Sequence, residues 1–386
     1  MANVKLSNVI RRAQTKVDKD DTDLVFYVGG EHIESENIRV HSRGIIAEST
    51  IGPMFYYGFK AGDFLLVSRN PHLKKAGLVD FDGICSEKTF VLETANSDVL
   101  LPEFLPFVLQ NERFWDYAYR HRHGSTNTFI NWSTLANYEF ELPDLETQRK
   151  LAEVLWSIND TMEAYKNLIS ATDELVKSQF MEQFGDPSNN VYGYPVTTLK
   201  EVAVGPLSYG SVSSATEFDG ITRYVRITDI MDDGNLGGDI KSATKTDAKY
   251  LLHEGDILFA RTGATVGKTC RYRENYGRAI YAGFLIRLIP DTTLIDPDYL
   301  YHFTKSDYYW DFVRSAQRVV AQPNINAQEY GDLQILLPKI EAQKSFAAFV
   351  QQSDKSKFAI QCCSNLNLWS CSACHRPKAT DGVSSR

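Results

Sequence analysis

Four stretches of the chain concentrate side chains that donate hydrogen bonds or carry positive charge. SRNPHLKK holds Arg69, Asn70, His72, Lys74 and Lys75, and RHRHGSTNTFIN holds Arg120, His121, Arg122, His123 and Asn127. In the second half, ARTGATVGKTCRYR holds Arg261, Lys268, Arg271 and Arg273, and RSAQRVVAQPNIN holds Arg314, Arg318, Gln322 and Asn324. Each contains Gly or Pro and lacks an apolar period, so each reads as a loop. Guanidinium forks and amides on loops suit base edges and phosphate oxygens, which makes these residues candidate DNA contacts. Any one stretch is equally well a solvated surface loop. Their recurrence at matching places in the two halves argues for a shared task.

Other chemistry finds little support. GATVGKT, Gly263 to Thr269, imitates a phosphate-cradling loop, but that pattern is GxxxxGK[ST] and only three residues separate Gly263 from Gly267. Neither a serine nucleophile elbow nor HExxH is present, and no methyltransferase or nuclease constellation stands out. Cys371, Cys374 and His375 hint at zinc, yet Cys362 and Cys363 are adjacent rather than spaced as ligands, so no metal site is assigned. The expectation is a chain with no catalytic residues and no cofactor of its own.

The elements that carry the four loops come in two sets. NTFINWSTLANYEFELPDLETQRKLA from Asn127 matches QPNINAQEYGDLQILLPKIEAQKSFA from Gln322 without a gap, at an offset of 195 residues from Pro143 to Pro338. Gly62-Asp63 with Gly255-Asp256, Trp115-Asp116 with Trp310-Asp311 and Leu6 with Leu199 keep nearly that offset. A period this long means two tandem domains, not a solenoid. Short β-like runs (LVFYVGG, AGDFLLVS, KTFVLET; TRYVRITDI, GDILFART, AGFLIRLI) precede helical PEFLPFVLQNERFWDYAYR and PDYLYHFTKSDYYWDFVRS. The expected fold is therefore α+β: two similar domains, each a twisted, mostly antiparallel sheet with packed helices.

Between the domains, Leu151, Leu155, Ile158, Met162, Tyr165, Ile169, Thr172, Val176 and Gln179 alternate in steps of four and three, the seam of a coiled coil. One helix from about Glu146 to Phe184 spans on the order of 60 Å. The seam predicts a partner helix; packing along the helix's own globular domain is the alternative. After Pro338 the seam returns at Phe346 and Val350 but turns polar from Ser353, so the distal helix reads as short, holding to about Ile360. The expected divisions are a recognition domain at 1–143, the central helix at 144–187, a second recognition domain at 188–338, a distal helix at 339–362 and an atypical Cys-rich tail at 363–386, read as unstructured.

Composition bounds the class. The chain has 386 residues, 43% hydrophobic and 23% charged, enough for two domains with real cores. A net charge of −8 argues, as a sum, against a polyanionic partner, but the distribution matters more. Asp144 to Asp186 holds nine acidic and four basic residues, whereas Asp256 to Arg278 holds five basic and two acidic. No long apolar run or signal sequence is visible, which predicts a cytoplasmic protein that does not meet a membrane. Outside the tail only Cys85 and Cys270 occur, far apart, so no disulfide framework is expected.

Two domains, each closed by FINWSTLANYEFELPDLETQ or NINAQEYGDLQILLPKIEAQ and followed by a helix, with FGDP ending the first helix, resemble the specificity subunit of type I restriction-modification systems. The resemblance runs from Val4 to about Ile360. It implies that each domain reads one half of a split sequence in double-stranded DNA from the major groove, and that two antiparallel helices act as a spacer. It also implies a non-catalytic subunit that recruits modification subunits, two of them, which methylate adenine with S-adenosylmethionine, and restriction subunits that use ATP and Mg to translocate and cut DNA. The polar distal seam departs from the family pattern. Two other readings stay open: a protein-interaction adaptor that binds no DNA, resting on the acidic helix, and a self-sufficient nucleotide-dependent DNA enzyme, resting on GATVGKT.

Overall fold

A computed structural model of the chain describes residues 2–317 and 324–364. The chain divides into two compact units, Met1–Thr161 and Met162–Arg386. Arg318, Gln322 and the tail beyond 364, with the Cys371, Cys374 and His375 group, lie outside the described residues.

The two units repeat one plan. In the first, the strand Ala2–Lys5 pairs antiparallel with Glu139–Leu142, the strand that ends on the Leu-Pro of the repeat. In the second, Val196–Thr198 pairs with Gln334–Leu336 in the same way. Leu6 and Leu199 follow these opening strands and are fully buried, their N–H groups donating to the carbonyls of Tyr138 and Leu333. The main sheet runs in the order Ile10–Ala13, Thr89–Thr94, Phe64–Val67, Ala76–Leu78, all antiparallel. Its counterpart runs Ser208–Tyr209, Leu285–Leu288, Ile257–Ala260, Thr269–Arg271. Each unit also holds one parallel pair, Phe26–Val28 with Gly83–Ser86 and Arg223–Val225 with Ala279–Tyr281.

The strand after each Gly-Asp is apolar throughout because it is covered on both faces. Side chains alternate across a strand, so Phe64 and Leu66 join the core under the helices while Leu65 and Val67 join a second core on the other side. Ile257 and Phe259 against Leu258 and Ala260 repeat the division. Phe114 and Trp115 from the helix Glu112–Arg120, and Tyr309 and Val313 from Asp307–Gln317, fill the helical side. Cys85 and Cys270 are buried free thiols whose pKa burial pushes up to about 12, so both stay protonated and unreactive.

The glutamine of each closing motif explains why the motif recurs. Gln148 and Gln343 are 0% exposed. Gln148 donates to the carbonyls of Val99 and Pro143, at 2.8 Å each, and accepts from the Leu101 N–H at 2.9 Å. Gln343 donates to Leu294 and Pro338, at 3.1 and 2.8 Å, and accepts from Asp296 at 2.8 Å. Every partner is shifted by 195 residues. One buried amide thus ties the start of the following helix to the turn before the domain's own helices.

The central helix spans Leu145–Phe184. Asp144 accepts from the Thr147 N–H and hydroxyl at its start, contacts that lower the carboxyl pKa, and Gly185 ends it with φ +67°. Its seam is shared rather than given to one partner. The first turns lie on the first unit's own domain: Ala152 is buried, Trp156 packs on Phe107 with ring centroids 5.1 Å apart and donates to the Glu103 carbonyl, and Arg39 pairs with Asp160. Leu151 is 41% exposed, while the stripe that meets the domain runs through Gln148 and Ala152, one position over. Leu155, Ile158, Met162, Tyr165 and Ile169 are partly buried.

In the second unit, Val176, Phe180 and Phe184 meet Phe346 and Val350 of the distal helix, Ile340–Ser364. Phe180 lies 5.4 Å from Phe346, and Lys357 bonds Asp173 at 2.7 Å, so the two helices run antiparallel. Where the seam loses its apolar residues it gains ions: Asp354 takes Arg273 at 3.3 Å and Lys357 at 3.0 Å. The expected failure of packing beyond Ser353 is thus a change of chemistry, and helix continues to Ser364.

Candidate nucleic-acid interface

Two loops in each unit, distant in sequence, meet at one place. In the first unit the Ile130 N–H donates to the Ser68 carbonyl at 2.8 Å, the Asn70 N–H to Thr128 at 2.7 Å, and Arg69 bridges Phe129. SRNPHLKK and RHRHGSTNTFIN therefore form one surface. In the second, the Ile325 N–H donates to the Arg261 carbonyl at 3.0 Å and Thr262 bridges Asn324, so ARTGATVGK and the NIN end of the other stretch, Asn324 to Asn326, meet in the same way. The short 3-10 turns Pro71–Leu73 and Gly263–Thr265 occupy equivalent hairpin connections.

Within that frame the candidate residues separate by partner. Arg69, His72, Arg120, His123 and Asn127 are exposed. Asn70 is half-buried beside Thr128, and Arg122 lies flat on the Tyr119 ring, 3.7 Å from its centroid, bonded to the Tyr119 carbonyl. Lys74 is held by Glu36 and Glu112 at 2.9 and 2.7 Å, and Lys75 donates to the Gly30 carbonyl at 2.6 Å. Both lysines brace the fold, Lys74 with its charge answered by two carboxylates and Lys75 through a neutral carbonyl.

The second unit shows the same sorting. Arg261 stacks on Tyr209, 4.7 Å from the ring centroid, and donates from Nε to Asn324 Oδ1 at 3.1 Å. Lys268 pairs with Asp232 at 2.6 Å and Arg314 with Asp311 at 2.6 Å. Arg271 and Arg273 stand apart from the surface: Arg271 reaches Asp298 and Glu254 at 3.2 and 3.3 Å, and Arg273 reaches Asp354 of the distal helix. Arg271 ends the strand Thr269–Arg271, Arg273 follows it, and both reach Asp298 on the helical side, which spacing alone did not separate from the loop.

GATVGKT is a hairpin turn. Strands Ile257–Ala260 and Thr269–Arg271 flank it, so no helix follows to receive a phosphate at its N-terminus. Gly267, at φ +86°, is required by packing: a Cβ there would sit 2.6 Å from Val313 Cγ1. Among the described residues no cluster of three His, Cys, Asp or Glu is placed to hold a metal ion, and no helix is long and apolar enough to cross a membrane.

Two residues at the interface escaped the sequence reading. Tyr209, in LSYGSV, carries Arg261, and its hydroxyl accepts from the Ala327 N–H at 3.0 Å. Lys88 lies between two strands, its carbonyl taking the Ser68 N–H at 2.8 Å and its ammonium on Glu87. A tyrosine followed by Gly-Ser and a Glu-Lys pair between apolar runs were the available signals.

Comparison with known proteins gives the same frame. The sequence profile described as "Type I restriction modification DNA specificity domain" matches residues 11–171 and 195–363. The HindI specificity subunit of Haemophilus influenzae is 26% identical over 132 residues, 33% of this chain; the match spans 28% of that relative's length. The S subunit of a type I restriction-modification system from M. genitalium has the same fold, with a TM-score of 0.54 at 14% identity over 94% of this chain and 93% of that one. The HsdS subunit from Thermoanaerobacter tengcongensis superposes with a TM-score of 0.39 at 19% identity, over 94% and 91% of the two chains. With two profile matches that take in most of its length and enclose both paired-loop surfaces, the chain belongs to the type I restriction modification DNA specificity family.

Proposed function

We propose that the chain is the DNA-recognition subunit of a type I restriction-modification complex: each unit reads one part of a bipartite sequence in double-stranded DNA, and partner subunits methylate or cut. The observation that carries this is the twofold occurrence of one surface, Arg69, His72, Arg120, His123 and Asn127 in one unit and Arg261 with Asn324 in the other, each assembled from two loops by equivalent backbone bonds. Guanidinium, imidazole and amide groups gathered on one surface suit guanine and adenine edges and phosphates.

The central helix supplies the second half of the reading. Val154, Leu168 and Leu175 stay exposed at multiples of seven residues, a row beside the seam that a further helix would cover. The modification subunits, two per specificity subunit, dock there, and S-adenosylmethionine, ATP and Mg belong to them and to the restriction subunits. The cytoplasm is where these components and their DNA meet. The test is methylome sequencing of cells carrying the modification subunit with and without this chain. A split adenine-methylation motif appears only with the chain; an unchanged methylome overturns the proposal.

A further inference from the structure

The turn that leads from the parallel pair, after Gly83–Ser86 or Ala279–Tyr281, into an inner strand of the main sheet, Thr89–Thr94 or Leu285–Leu288, lies against the paired loops. In the first unit the Lys88 carbonyl receives the Ser68 N–H at 2.8 Å; in the second the Phe284 carbonyl receives the Arg261 N–H at 3.1 Å. Lys88 and Phe284 thus occupy one backbone position of the repeated surface, with a cation in one unit and an aromatic ring in the other. Phe284 opens the run FLIRL, where an apolar residue is expected inside, and Leu285, Ile286 and Leu288 are fully buried. Phe284 itself is 60% exposed. The bond from the Leu285 N–H to Ala282, at 2.8 Å, closes a turn that carries the ring outward, and the Gly283 N–H fixes the turn to Ser211 at 2.7 Å.

A single exposed phenylalanine is ordinary on a protein surface. This one is tied by backbone bonds, from the Arg261 N–H and to Ser211, to a built constellation: Arg261 on the face of Tyr209, Asn324 bonded to Arg261, and Val212, 97% exposed, one residue beyond Ser211. Apolar side chains set among a guanidinium and an amide match one base edge in particular. Thymine presents a carbonyl acceptor and a methyl group in the major groove, and phenylalanine is among the side chains that contact that methyl.

We infer that Phe284 is a specificity-determining residue of the second unit, seating the 5-methyl group of a thymine in the half-site which that unit reads. The inference rests on the DNA-recognition reading above. Lys88 at the same position, its ammonium paired with Glu87, offers no such apolar ring, so the two units differ there.

The test uses the full chain assembled with its modification subunits and duplexes bearing the methylation motif, in which each thymine is replaced in turn by uracil, a change that removes only the methyl. One replacement weakens binding by the wild-type complex about fourfold, the worth of one buried methyl, and Phe284→Ala binds the thymine and uracil duplexes equally. Insensitivity of the wild type at every thymine, or a sensitivity that Phe284→Ala retains, overturns the inference while leaving sequence-specific binding intact. Absence of any sequence-specific binding overturns the DNA-recognition reading itself, so the two failures are distinct.

Discussion

At the scale of single residues, the most constrained positions are polar ones. Gln148 and Gln343 each satisfy two carbonyls and one N–H that burial removes from water, and a buried backbone group left without a partner costs about 1–3 kcal/mol. Gln148→Leu keeps the volume and abandons three groups. We expect it to destabilise the first unit by about 3 kcal/mol, read as a lowered denaturation midpoint; an unchanged midpoint would show that the amide is dispensable. The sequence placed this residue in register with its copy but gave no reason for it, because a glutamine in a helix's first turns is usually solvated. Among the basic residues the structure drew a line that spacing did not: Arg69 and Arg120 face outward, whereas Lys75 and Arg271 answer backbone and carboxylate groups within the fold.

At the scale of elements, the second unit joins its distal helix to its domain through charged and aromatic groups. His302 packs edge-on against Phe346 at 5.4 Å, and burial lowers its pKa to about 3; Asp354 opposes that shift, while Lys305, Lys357 and Arg273 add to it. An unfolded histidine binds its proton near pH 6.5 and the folded one only near 3, so between those values the unfolded chain carries more protons and stability rises with pH. Asp256 and Asp298, whose carboxyls burial pushes up, contribute with the opposite sign. The clean measurement is consequently a difference: from pH 7 to 5, wild type should lose up to about 2 kcal/mol more than His302→Gln. Parallel pH profiles of the two proteins would remove His302 as a source of acid sensitivity. The sequence showed the central helix well, since its caps at Asp144 and Gly185 and its heptads are local. It did not show that the first turns meet their own domain through Gln148 and Ala152 while Leu151 stays exposed, because that depends on which face the domain covers.

At the scale of the whole molecule, duplication makes the two proposed readers separable. Arg69 and Arg261 belong to different units, each with its own core and its own pair of loops. Arg69→Ala should relax one half of the split motif and Arg261→Ala the other, each at a cost of about 1–3 kcal/mol if the contact is to a base edge. Sequencing the methylation motif produced by each variant reads this directly. If either variant relaxed both halves, the units would not be independent readers.

The sequence by itself determined the repeat, the α+β class, the long helix between the copies and the four donor-rich stretches, because each is a matter of period, composition or local capping. Only the tertiary structure decided that those stretches pair as two surfaces. The bonds that join them, Ile130 to Ser68 and Ile325 to Arg261, span more than sixty residues and run through backbone groups, which every residue carries. It alone turned Phe284 outward from an apolar run and Arg271 inward from a basic one. Exposure depends on which face of a strand or turn the fold leaves uncovered, and residue type alone does not specify that face.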